Sequence, residues 1–169
     1  MLTAIQMIGD MGQSLGPMFV LTVGLSFVVG LWFVADSVFL MVRVSNDPRI
    51  HKSRIPITAA TGALLMAMPV FVLHDVGTFF SQGQPSPLAY TGPGGAHVGL
   101  AVMVIENFVQ LVGWLAVFRG LVILKRVGDG TTRESSDTAF VHIIGGALAA
   151  NVVGTAIALG HTFGLTLPI

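Results

Sequence analysis

Four stretches of this chain, approximately Met18–Val42, Ile57–Phe80, Val98–Leu124 and Ala139–Leu167, are nearly free of charge and long enough to cross a bilayer. A hydrocarbon core of about 30 Å requires about 20 apolar residues in helical form. Their glycines and one proline, Pro69, fit this environment, because membrane helices satisfy backbone groups internally or through neighbours. Of 169 residues, 53% are hydrophobic and only 9% charged, a balance no soluble domain of this size could keep from water. The expected fold is all-α, one polytopic membrane domain over residues 1–169 with four transmembrane helices.

The eight basic residues set the expected topology. Arg43, Arg49, Lys52 and Arg54 lie between the first two stretches, Lys125, Arg126 and Arg133 between the last two, and Arg119 within the third. The positive-inside rule then puts loops 43–56 and 125–138 on the cytoplasmic side and both termini on the outer side. No basic n-region or small-residue cleavage site marks a removable signal peptide. Residues 1–17 form the outer N-terminal segment, where Leu2, Ile5, Ile8 and Met11 suggest a short amphipathic helix; a frayed tail is the alternative. Hairpin one runs over about 18–80, an outer Pro/Gly loop with Tyr90 over 81–97, and hairpin two over about 98–167.

Shifting the chain by 83 positions lays Val29–Val44 on Val112–Val127, with Val29, Gly30, Val34, Arg43 and Val44 meeting identical residues. A shift of 84 lays Thr61–Leu65 on Gly145–Ala149. This reads as two repeated out-in-out hairpins, a parallel repeat; coincidence among apolar residues is the competing account. The repeat places Asp36 on Arg119, each about 10 Å below the cytoplasmic end of its helix, which makes them an intramembrane charge pair candidate. Snorkelling of Arg119 to inner headgroups is the alternative.

Glu106, Asn107 and Gln110 form a polar stripe in the outer half of the third span, and Glu106, Gln110, Gly113, Val117 and Gly120 share one face. In the fourth, Gly146, Ala150, Gly154 and Ala158 recur every four residues, with Gly145 beside them. That spacing suggests close helix packing. Asn151 reads as an interhelical hydrogen-bond donor. His74 and His161, near the outer ends of two spans, could ligate a haem, and His74, Asp75 and Glu106 could form a proton relay. Structural histidines such as His142 are the commoner use, so no cofactor is expected beyond a retained lipid. Without cysteine there is no disulfide or thiol catalysis, and no nucleophile elbow, metal motif or phosphate loop occurs. Neutral net charge gives no basic surface for nucleic acid. No enzymatic activity is expected.

The segment LVGWLAVFRGLVILKR (Leu111–Arg126), a short polar linker, HIIGGALAANVVGT (His142–Thr155) and TFGL (Thr162–Leu165) together resemble the IcmC/DotE family of type IVB (Dot/Icm) secretion systems and its TraQ-type conjugation relatives. Gly30–Met41 and the loop ending PLAYTGPGG fit more weakly. The resemblance implies a non-enzymatic structural subunit of a secretion or conjugation apparatus, with Arg119, Gly120, His142, Gly145, Gly146 and Asn151 at the matching positions. Its expected partners are further copies of itself, other apparatus subunits and membrane lipid. A subunit of a helical pilus or tube is the alternative within that machinery. From another class comes a small proton-coupled transporter or channel using Asp36, Arg119 and Glu106.

Overall fold

The computed structural model describes residues 4–47, 51–70 and 95–164, and these contain helices, turns and short connections without a strand. Five helices follow in order: α1 (Ala4–Asn46), α2 (Arg54–Met66), α3 (Gly95–Gly128), α4 (Ser136–Ala150) and α5 (Val152–Thr162). The outer loop and most of the outer half of the expected second span lie outside the described residues, as do His74, Asp75 and Tyr90.

Two helices are long and apolar enough to cross a membrane, Ser14–Asn46 within α1 and Val98–Gly128 within α3. A third exists only if α4 and α5 are counted together, and they meet at 91°. The expected continuous fourth span is therefore interrupted, two helices at this angle forming either a broken span or a re-entrant loop. α2, with 13 residues, is about 20 Å long and by itself too short to cross. The expected separate outer segment also changes. α1 runs unbroken for 43 residues through Pro17, merging residues 4–17 with the first span. A proline removes one backbone donor and crowds the preceding turn. The helix tolerates this because Leu15 and Phe19, on either side, are held against Val104 and Leu111 of α3. At 1.5 Å per residue α1 is about 65 Å long and α3 about 51 Å, both well beyond a bilayer core of about 30 Å.

The chain forms two antiparallel pairs, α1 with α2 and α3 with α4, and the first packs along α3. Glycine makes each crossing close. A Cβ on Gly30 would meet the carbonyl oxygen of Gly62 and the backbone nitrogen of Met66, both at 2.7 Å. One on Gly113 would meet the carbonyl oxygen of Gly146 at 2.7 Å and the backbone nitrogen of Ala150. Conversely, Gly62 faces Gly30 and Val34, and Gly146 faces Gly113 and Val117. The two crossings use residues 83 or 84 apart in every case. The second helices also end at corresponding residues, α2 at Ala67 and α4 at Asn151, again 84 apart.

Between the pairs lies an apolar core of Leu65, Met68, Val117, Leu121, Ile143 and Ala147. Small hydroxyl residues line the inner face of hairpin one, with Thr22, Ser26, Ser37, Thr58 and Thr61 all buried. Thr22, Ser26 and Ser37 bond carbonyls of their own helix three or four residues back, which satisfies the hydroxyl without adding bulk at the contact.

Candidate functional site

The polar groups gather at two places, the cytoplasmic end of the hairpin junction and the break between α4 and α5. At the junction, Val117, Leu121, Lys125 and Asp129 follow at four-residue steps on the face of α3 turned toward hairpin one. Lys125 therefore continues the buried apolar stripe, and its ammonium lies 3.0 Å from an oxygen of Asp36 and 2.6 Å from one of Asp129. It also sits 5.1 Å from the centre of the Phe33 ring, an additional attraction for a cation. The other oxygen of Asp129 is 3.3 Å from the Arg54 guanidinium. Two cations and two carboxylates thus alternate from α1 through α3 to α2. Asp129 is the most enclosed, its side chain 8% exposed, so its charge depends most on these partners. A shallow cavity of about 270 Å³ opens beside it, lined by His51, Ser53, Arg54, Val127, Gly128 and Gly130.

Asp36 pairs with Lys125 and not, within the chain, with Arg119. Helical rotation is one reason: Arg119 lies two residues, about 200°, from Val117 and points outward, where it is exposed. Depth is the other. Gly12 of α1 stands against Val104 of α3, and Asp36 against Lys125, positions 92 and 89 apart, whereas the repeat matches positions 83 apart. With the Phe19–Trp114 ring contact, 95 positions apart, matching residues are consequently offset by six to twelve positions, about 9–18 Å along the helices. The sequence comparison treats equal place in the repeat as equal depth, and the packing stagger separates the two.

On the opposite half of α3, Glu106 is 7% exposed and accepts from Gln110 at 3.3 Å, while Asn107 is half-buried. Gly113, Val117 and Gly120 on the same face are buried against α4, Gly120 meeting Ala139 and Ile143.

The small-residue series in the fourth span does not form one packing face, because the chain turns between Ala150 and Val152. Gly146 belongs to the crossing with α3, and the Ala150 backbone lies against Gly113. Gly145, adjacent in sequence, is exposed and has no atom within 4 Å of where its Cβ would be. Past the turn, Gly154 faces the Asn151 side chain, and Ala158 is half-buried on α5. Asn151 is the N-cap of α5, its amide oxygen accepting from the Gly154 N–H at 3.3 Å. Thr155 bridges the break by donating to the Leu148 and Asn151 carbonyls. Asn151 is 3% exposed, and its amide nitrogen, the expected interhelical donor, has no hydrogen-bond partner among the described residues.

His142 bonds the Thr138 carbonyl at 2.8 Å, and His161 is exposed at the end of α5. Among the described residues no group of three or more His, Cys, Asp or Glu side chains could hold a metal ion. Sequence reading missed Lys125, Asp129 and Arg54 as one network. An acidic residue set four positions after a lysine at a helix end was the available signal. No family model, curated protein or solved structure matches the chain.

Proposed function

We propose that this chain is a non-enzymatic structural subunit of a type IVB-like secretion or conjugation apparatus, built from two copies of one helical hairpin and assembled with further copies of itself. One observation carries the reading: both hairpins close on glycines at corresponding positions, and the junction charges join helix to helix. These polar and small residues act in packing, while long apolar faces of α1 and α3 remain exposed for partners or lipid. The resemblance of Leu111–Arg126 and His142–Thr155 to the IcmC/DotE family supports the choice of machinery. The proposed location is the inner membrane, termini periplasmic and basic loops cytoplasmic. Helices about 51 and 65 Å long also suit packing beyond the bilayer, as a pilus or tube subunit requires.

The test is genetic and biochemical. In a host carrying such an apparatus, deletion of the gene should abolish transfer, and the wild-type chain should restore it while Gly113→Leu should not. Transfer unaffected by the deletion removes the reading.

The break at Asn151 favours a second reading, a small proton-coupled transporter or channel, because discontinuous membrane helices often mark substrate and ion sites. Reconstituted in liposomes, the chain should then carry a proton flux that Glu106→Gln abolishes. Flux absent from the wild-type protein eliminates this class.

A further inference from the structure

The duplication proposed above has a consequence for the outer surface. Hairpin one holds hairpin two through a stripe of α1 that includes Gly12, Phe19, Phe33 and Asp36, placed against Val104, Trp114 and Lys125 of α3. If the hairpins are copies, hairpin two carries the counterpart of the first stripe, 83 positions on: Val102, Ala116 and Arg119 of α3. Hairpin one carries the counterpart of the second, 83 positions back: Leu21, Leu31 and Val42 of α1. Among the described residues the α1 stripe is exposed, while on α3 Arg119 is exposed and Val102 and Ala116 are half-buried. Leu21, Leu31 and Val42 are exposed at 68%, 52% and 60%, and Ile105 and Val112 flank the other stripe exposed as well.

We infer that these two stripes bind each other between copies of this chain, the α3 stripe around Arg119 docking on the α1 stripe around Leu31 of the next copy. This inference rests on the proposed duplication. Charge selects the same occupant. Arg119 takes the place of Asp36, with opposite sign, on an otherwise apolar face whose Ile105 and Val112 are exposed and whose Val102 and Ala116 are half-buried. The residue opposite it is Val42, followed by the exposed Asn46 and Asp47 near the position that Asp129 holds in the internal contact. An arginine at membrane depth needs such polar company. The contact joins two different surfaces, so it is heterologous and extends instead of closing at a dimer.

The chain contains no cysteine, so introduced cysteines report without background. In the internal contact the Phe19 and Trp114 rings are 6.2 Å apart, and the corresponding interchain pair is Val102 with Leu31. The full-length chain with Val102→Cys and Leu31→Cys together, treated in native membranes with a short thiol-to-thiol reagent, should give a ladder of covalent multimers. Each single variant should give almost none. Adding Arg119→Glu should lower the multimer yield about tenfold, by turning attraction toward Asp47 into repulsion, while leaving thermal unfolding unchanged. A product that stops at dimer, or no product from a chain that native mass measurement shows to be assembled, overturns this surface and leaves the assembling subunit intact. A chain that is monomeric by native mass overturns both.

Discussion

Replacing Gly113 by alanine tests the glycine crossing with the smallest available perturbation. The added methyl would lie 2.7 Å from the Gly146 carbonyl oxygen and 2.8 Å from the Ala149 carbonyl carbon, against a normal contact of at least 3.4 Å. All of its near neighbours are backbone, so no side chain can rotate aside. α3 and α4 must separate by more than 0.7 Å, because the Ala150 backbone nitrogen lies closer still than the Gly146 oxygen. Overpacking of this kind costs about 1–3 kcal/mol. Alanine also favours helix over glycine by about 1 kcal/mol, which would partly hide the effect. Gly145→Ala supplies the control, since it makes the same chemical change in the same region with nothing within 4 Å. The helix preference cancels between the two, and the remaining difference of about 1–3 kcal/mol is the crossing itself. The assay is denaturing-detergent titration of the full chain, followed by the fluorescence of Trp114, which packs edge-on to Phe19. Gly30→Ala should behave like Gly113→Ala. If Gly113→Ala and Gly145→Ala unfold together, the close crossing is not where the pair gains its stability.

Three further substitutions probe separate parts of the account. Asp129→Asn removes a carboxylate shared by Arg54 and Lys125 and should destabilise by about 1–3 kcal/mol in the same titration, more than Asp36→Asn; the reverse order would place the centre of the network at Asp36. Asn151→Ala deletes the cap of α5 and should cost about 1 kcal/mol and speed amide exchange at Gly154, whereas Asn151→Ser should retain most of both; unchanged exchange in Asn151→Ala would show that the cap does not hold the break. Arg119→Leu should leave the unfolding midpoint of the isolated chain unaltered, because the side chain is exposed and has no ion-pair partner among the described residues; a loss above about 1 kcal/mol would reveal an intrachain partner.

The long apolar runs that became α1 and α3 were legible because membrane length and hydropathy act residue by residue. Gly30 and Gly113, which the 83-residue shift matches, each sit at a close helix crossing. Two features were hidden. Asn151 lies in an unbroken apolar run, and an asparagine there either bonds a neighbouring helix or caps a new one; the choice depends on tertiary packing. The partner of Asp36 depended on the axial offset between hairpins, which no periodicity records. Lys125 consequently holds the place that the repeat alone would give to Arg119.

The most direct test of the central claim is the mass and shape of the complex extracted in mild detergent or native nanodiscs, by electron microscopy with mass spectrometry of co-purifying proteins. An ordered assembly of many copies, alone or with other subunits of a transfer apparatus, is the predicted result. A lone monomer or dimer without partners would contradict the account.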